Sequence, residues 1–154
     1  MKIGLVADTH NHLDPKILDL FQGVDHILHA GDVGRQFIVF ELEQIAPTTA
    51  VIGNTDQDNP LKLTEVVTLG ETKILLQHIV PLPPNERLLA QLARIRPDVV
   101  VFGHTHKALD EVIGGVRFIN PGYSGKPRHN TLRSVAFLHC DGRDLRVELV
   151  PLES

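Results

Sequence analysis

The run Asp98-Val-Val-Val-Phe-Gly-His-Thr-His106 ends an apolar stretch in a glycine and two imidazoles set two positions apart. Val99 to Phe102 are β-branched or aromatic, the composition of a short buried strand whose end delivers His104 and His106 to a sheet edge. Imidazoles so spaced can converge on one ion, although a lone pair of this kind also suits one core and one surface histidine. Four other strand-like runs end in similar residues: Asp8-Thr-His10, Ala30-Gly-Asp32, Gly53-Asn54 and His78. Five strands that each carry an oxygen or nitrogen ligand at the carboxyl end, where α/β sheets open their crevice, point to one shared metal site.

Carboxylates and imidazoles without thiolates suit Mn, Fe, Zn, Co or Ni and disfavour a structural cysteine-zinc site. Seven ligands are too many for one tetrahedral ion and suit two. If Asp32 bridges a pair ~3.5 to 4 Å apart, the ions can clamp a phosphoryl group and generate a hydroxide nucleophile between them. Gly31, Gly53 and Gly103 beside the ligands allow tight turns and close backbone approach.

The elements that must position these residues alternate at first. Lys2 to Ala7, Asp25 to His29 and Thr49 to Ile52 read as strands, with helices over Pro15 to Phe21 and Gln36 to Ile45 between them. Glu65 to Leu69 and Lys73 to Gln77 flank a glycine-containing turn and form a hairpin, and Pro84 to Ile95 is an amphipathic helix leading into the strand Asp98 to Phe102. Leu109 to Ile113, Val116 to Ile119, Ser134 to His139 and Asp144 to Val150 complete a strand-rich end, broken at Gly114-Gly115 and Asp141-Gly142. Two sheets with helices outside accommodate this order.

At 154 residues and 17.1 kDa the chain is expected to form one domain, residues 1–154, without repeat or linker. A net charge of −4 carries no footprint for specific nucleic-acid binding. No apolar window reaches membrane-span length, and Ile3 to Ala7 is too short for a signal peptide, so no membrane partner and a cytoplasmic location are expected. The single Cys140 excludes an intrachain disulfide framework.

The ordered motifs Asp8-x-His10, Gly31-Asp32, Gly53-Asn54-x-Asp56, His78 and Gly103-His104-x-His106 resemble those of the calcineurin-like metallophosphoesterases, and most of all their small YfcE-like phosphodiesterase branch. The resemblance runs from the first strand to Asn120-Pro-Gly122. It implies an α/β fold, a four-layer α/β/β/α sandwich of two mixed sheets flanked by helices. It also implies Asp8, His10, Asp32 and His106 on one metal, and Asp32, Asn54, His78 and His104 on the other. Two divalent transition-metal ions, manganese foremost and nickel, zinc, iron or cobalt as substitutes, would then support hydrolysis of a small phosphodiester by in-line attack of a metal-bridging hydroxide. Asp32, Asn54, His78 and His104 carry the catalytic expectation, and a homodimer is plausible from the same likeness.

Three departures from the family pattern involve four residues. Thr55 stands where many relatives have a histidine, a candidate acid for the leaving group. Ile79 and Val80 replace a glycine and a polar residue after the metal histidine, and Tyr123 replaces the usual serine after Asn120-Pro-Gly122. His12, Thr55 and Arg128 are the candidate substrate contacts, with 56–62, 79–84 and 123–130 as the candidate walls. His29 reads as a sheet residue rather than a ligand. His10-Asn-His12-Leu-Asp14 resembles the start of a metallo-β-lactamase motif but lacks its final histidine, since Pro15 stands there. The competing class is a non-catalytic, metal-binding interaction scaffold resembling the retromer subunit of the same fold.

Overall fold

A computed structural model of the protein describes residues 1–56 and 60–153. In chain order the elements are β1 (Lys2–Val6), α1 (Pro15–Leu20), β2 (His26–His29), α2 (Phe37–Glu43), β3 (Thr48–Ala50), β4 (Thr64–Leu69), β5 (Thr72–Gln77), α3 (Glu86–Ile95), β6 (Val99–Val101), β7 (Leu109–Ile113), β8 (Val116–Asn120), β9 (Ser134–Asp141) and β10 (Asp144–Pro151). Local chemistry sets the helix starts. Asp14 accepts a hydrogen bond from the Lys16 amide ahead of Pro15 at the first turn of α1, and Asn85 accepts one from the Leu88 amide at the start of α3.

The strands form two five-stranded sheets, ordered β10-β9-β1-β2-β3 and β4-β5-β6-β8-β7. Both are mixed: β1, β2 and β3 run parallel beside antiparallel β9 and β10, while β5, β6 and β8 run parallel between antiparallel β4 and β7. The period of two along each strand assigns its side chains to layers. Ile3 and Leu5 of β1 meet Ile74 and Leu76 of β5 and Val99 and Val101 of β6 in a core between the sheets. Val6 and Ile27 turn the other way and pack under Ile17, Phe21, Ile38 and Leu42 of the α1–α2 side. Leu75, Val100 and Phe118 pack under Leu88 of α3. Helices, sheet, sheet and helix thus make the four-layer α/β/β/α sandwich that the motif order implies.

Most boundaries shift by one or two residues from the sequence reading, and two of these shifts have a visible cause. β3 ends at Ala50 instead of Ile52, because Val51 pairs only as an isolated bridge with Lys62. The helix expected over Gln36 to Ile45 is regular over Phe37–Glu43 alone, where Ile38 and Leu42 give it a buried face. Among the described residues no helix is long and apolar enough to cross a membrane.

The same layering brings two sheet edges together. Asp8 and His10 follow β1 and donate their amides to Gly31 and Asp32 carbonyls after β2, at 3.0 and 2.9 Å. After the second sheet's strands, the Gly103 amide reaches the His78 carbonyl at 3.0 Å. Between the sheets, the His104 amide donates to Asp8 Oδ2 at 3.1 Å, which ties the end of β6 to the end of β1.

Candidate metal centre

At that junction the backbone takes conformations that L-residues rarely adopt. Asp8, His10, Asp32, His104 and His106 all have positive φ, between 46° and 74°. Each such residue costs of order 1 kcal/mol or more unless its surroundings enforce it, and clustering of the cost is typical of functional sites. The turns also need small neighbours. A Cβ on Gly31, at φ +100°, would lie 2.7 Å from the His78 ring, and one on Gly53 would overlap Asp32 Oδ1.

The side chains converge at distances suited to a shared ion. His106 Nε2 lies 3.6 Å from Asp8 Oδ1, and His10 Nε2 lies 3.8 Å from Asp8 Oδ1 and 3.6 Å from Asp32 Oδ2. His78 Nε2 is 3.2 Å from Asp32 Oδ2 and 3.8 Å from Asp8 Oδ1. Most of these separations are too long for hydrogen bonds, yet two ligands ~2.1 Å from one tetrahedral ion stand ~3.4 Å apart. Among the described residues, two groups of donor atoms are close enough together to hold a metal: Asp8, His10 and His106, and Asp8, Asp32 and His78. Asn54 Oδ1 extends the second, at 2.9 Å from His78 Nε2 and 3.1 Å from His104 Nδ1.

Two atoms test the fit of a cation. Asp8 Oδ1 and His10 Nε2 are buried and have no hydrogen-bond partner among the described residues. A buried acceptor left unpaired costs a few kcal/mol, and a cation between these two atoms removes that cost. The donor set, oxygen and imidazole nitrogen without sulfur, suits a divalent transition metal.

Electrostatics point the same way. Burial pushes the Asp8 carboxyl up to about 7, the behaviour of an acid lacking a counter-charge. Burial works against the charge of Asp32 too, but hydrogen bonds from His78 and Thr55 outweigh it and hold this carboxyl well below the usual range. Burial likewise opposes protonation of His78, yet its hydrogen bond to Asp32 raises its pKa. Burial lowers both His10 and His106, with the Arg128 charge adding to the effect. The His78 tautomer is fixed, because Nδ1 faces the Ala30 carbonyl at 2.8 Å and can only donate to it. Nε2 is then left to face the site, the usual arrangement of a ligating histidine.

The remaining expectations fare unevenly. The Thr55 amide donates to Asp32 Oδ1 at 2.9 Å, so Thr55 serves Asp32. Arg128 lies 4.5 Å over the Tyr123 ring. His12 is not brought into the cluster: its amide caps the Thr9 carbonyl, and no described contact joins its imidazole to the ligands. Of the 56–62 wall, 57–59 lie outside the described residues. His29 is fully buried, as a sheet histidine should be, between Thr9 Oγ1 and the Gly31 amide.

Three residues that the sequence marked as motif members or departures, without a role, support the site. Asp56 accepts from the Val33, Gly34 and Gly53 amides and clips two ligand loops together. Asn120 donates to the Gly103 carbonyl and Thr105 hydroxyl, holding the His104–His106 turn. Tyr123 packs its ring 4.8 Å from His106 and 6.2 Å from His10, and its hydroxyl donates to the Lys126 carbonyl. Its replacement of the usual serine after the Asn-Pro-Gly turn was its signal in the sequence.

Comparison with known proteins agrees with this geometry. Residues 1–143 match the model of the calcineurin-like phosphoesterase superfamily domain. A probable metallophosphoesterase of Methanocaldococcus jannaschii is 33% identical over 161 residues, covering 99% of this chain and 82% of its own length. A phosphodiesterase of the same organism is 31% identical over 139 residues, 79% of this chain and 83% of its own. Among solved structures, an archaeal phosphodiesterase superposes with a TM-score of 0.75 at 25% identity, covering 97% of this chain and 100% of the other. Vps29 of Entamoeba histolytica, solved with zinc, shares the fold with a TM-score of 0.79 at 23% identity, over 98% and 99% of the two chains.

Proposed function

Because the chain belongs to the calcineurin-like phosphoesterase superfamily, we propose that it is a phosphodiesterase acting on a small phosphodiester with two divalent transition-metal ions. The observation that carries this reading is the unpartnered pair Asp8 Oδ1 and His10 Nε2, buried where two donor groups meet. Bound there, such ions, manganese foremost, would neutralise phosphoryl oxygens and acidify a water for in-line attack on phosphorus.

The chain's own residues divide the remaining work. Asp8, His10, Asp32 and His106 hold one ion, and Asp32, Asn54, His78 and His104 the other. Asp32 Oδ2 reaches a histidine of each set, His10 at 3.6 Å and His78 at 3.2 Å, which supports it as the bridge. Asp8 Oδ1 spans the same two histidines, so the carboxylates share the junction. The Asn54 side chain presents its carbonyl oxygen to the imidazoles, which leaves its amide nitrogen to donate to a substrate phosphate. Arg128, above Tyr123 and exposed, adds positive charge on the His10–His106 side. The Thr55 hydroxyl cannot supply a proton near neutral pH, so diesters with acidic leaving groups are the favoured class.

The likeness to Vps29 supports a second reading, a metal-binding scaffold without turnover. Assay of metal-loaded protein on bis(p-nitrophenyl) phosphate separates the two. Turnover that falls on the order of 10³-fold in Asp32→Asn is expected of the enzyme. Absence of turnover in the unmodified protein, with the metal bound, establishes the scaffold instead.

A further inference from the structure

A groove of about 720 Å³ leaves the metal centre at Asn54 and His78 and runs along α3. Such a volume holds a nucleotide-sized group. Its walls include Leu63 and Ile79, which are 69% and 50% exposed, and exposed apolar side chains rimming a concavity mark a place where a ligand covers them. The Ile79 departure from the family pattern falls on this wall.

The floor is polar and fixed. Gln91 Nε2 donates to Gln77 Oε1 at 2.9 Å, and Gln77 Nε2 returns a bond to Gln91 Oε1 at 3.2 Å. Gln77 also donates to the Ile79 carbonyl and accepts from Thr64, so its capacity is used, while Gln91 keeps one N–H and one lone pair for an incoming group. Arg87 and Arg94, seven residues apart on α3, line the same groove. Neither makes an ion pair or hydrogen bond with any described residue, although the chain's other lining polar groups are largely paired among themselves.

We propose that this groove binds the organic arm of the diester, and that Arg87 and Arg94 select an arm that bears a second anionic group, as a nucleoside carrying a further phosphate does. The inference rests on the phosphodiesterase reading only for the position of the scissile phosphate at Asn54 and His78. Apolar walls take the ring faces, Gln91 offers a paired donor and acceptor to a ring edge, and the two guanidiniums take the second anion.

Two chromogenic diesters test it: thymidine 5′-(p-nitrophenyl phosphate) and the same compound with a 3′-phosphate. The 3′-phosphorylated diester is expected to show a roughly tenfold higher kcat/KM. In the Arg87→Gln/Arg94→Gln double variant that ratio falls toward one, and in the control Arg143→Gln, at an exposed turn, it persists. A wild-type ratio near one, or a ratio unmoved in the double variant, overturns the inference and leaves the phosphodiesterase reading intact. A second readout does not need catalysis. Thymidine 3′,5′-bisphosphate titrated into metal-free, isotope-labelled protein should shift the amide resonances of Arg87, Gln91 and Arg94, and absence of those shifts overturns the inference. Shifts at α3 without turnover of any diester retain the groove as a nucleotide site while removing the enzymatic reading.

Discussion

His78 donates its Nδ1 proton to the Ala30 carbonyl and presents Nε2 to Asp32 and Asn54, whereas His106 is held by ring packing against Tyr123 and His10. On the His78 side, hydrogen bonds set tautomer, ring angle and charge before any ion arrives. The His106 side is set by shape and by left-handed backbone at His10 and His106, and it is where both unpartnered buried atoms meet. Hydrogen bonds to a ligand's far nitrogen raise its basicity as well as its order, whereas packing supplies order alone. The His78 side is therefore expected to bind its ion more tightly, and the His106 side to empty first under a chelator.

The strongest way to break this comparison is to remove one ligand from each side. His104→Ala should lose the ion shared with Asn54 and His78, and His106→Ala the ion shared with Asp8 and His10, each with a fall in phosphodiesterase kcat/KM of at least about 10²-fold. Metal content per chain, read beside activity, checks it; loss of the same ion in both variants would end the division into two sides. A smaller effect is expected from Tyr123→Leu, which removes the ring behind His106 and His10. Metal affinity on that side should weaken roughly tenfold while the tighter ion stays, and calorimetric titration that finds both ions equally weakened would remove the asymmetry.

The smallest effect lies beneath the site, at His29. The Thr9 hydroxyl donates to the Val33 carbonyl and so accepts from His29 Nε2, while His29 Nδ1 accepts from the Gly31 amide. Protonation would set two donors face to face, and burial pushes this imidazole down to about 3. The unfolded imidazole titrates near 6.5, so below that pH unfolding takes up a proton and stability falls until the folded value is reached. His29→Gln should cost about 1–2 kcal/mol at pH 7.5 through imperfect hydrogen bonds, yet flatten the loss between pH 6.5 and 4. Urea unfolding at both ends of that range reads the slope, and an unchanged slope refutes the assignment.

Much of the fold was readable because strand ends and ligands coincide: the apolar run Val99 to Phe102 stops where His104 begins, and Ile27 to Ala30 stops before Asp32. The period of two in β1 even separates Ile3 and Leu5, which face the other sheet, from Val6, which faces the helices. Less readable were residues whose role depends on a neighbour far along the chain. Asp56 caps amides at Val33 and Gly34, and Asn120 holds Gly103 and Thr105, contacts created only when strands distant in the chain pair side by side in a sheet. Arg87 and Arg94 carried no signal, since the periodicity of an amphipathic helix reports which side is apolar and not what its polar side overlooks. His12, two positions beyond His10, follows the left-handed turn at His10 and Asn11.

That turn, with its counterparts at Asp8, Asp32, His104 and His106, has a thermodynamic corollary. The same ions that these loops would hold also relieve the unpaired atoms Asp8 Oδ1 and His10 Nε2, so occupancy and folding become two faces of one equilibrium. A ligand bound only by the folded state raises stability by RT ln(1 + [L]/Kd), about 2.7 kcal/mol at a hundredfold excess over Kd. The melting temperature then rises with the free concentration of metal, and the protein's own unfolding curve becomes a gauge of how full its site is.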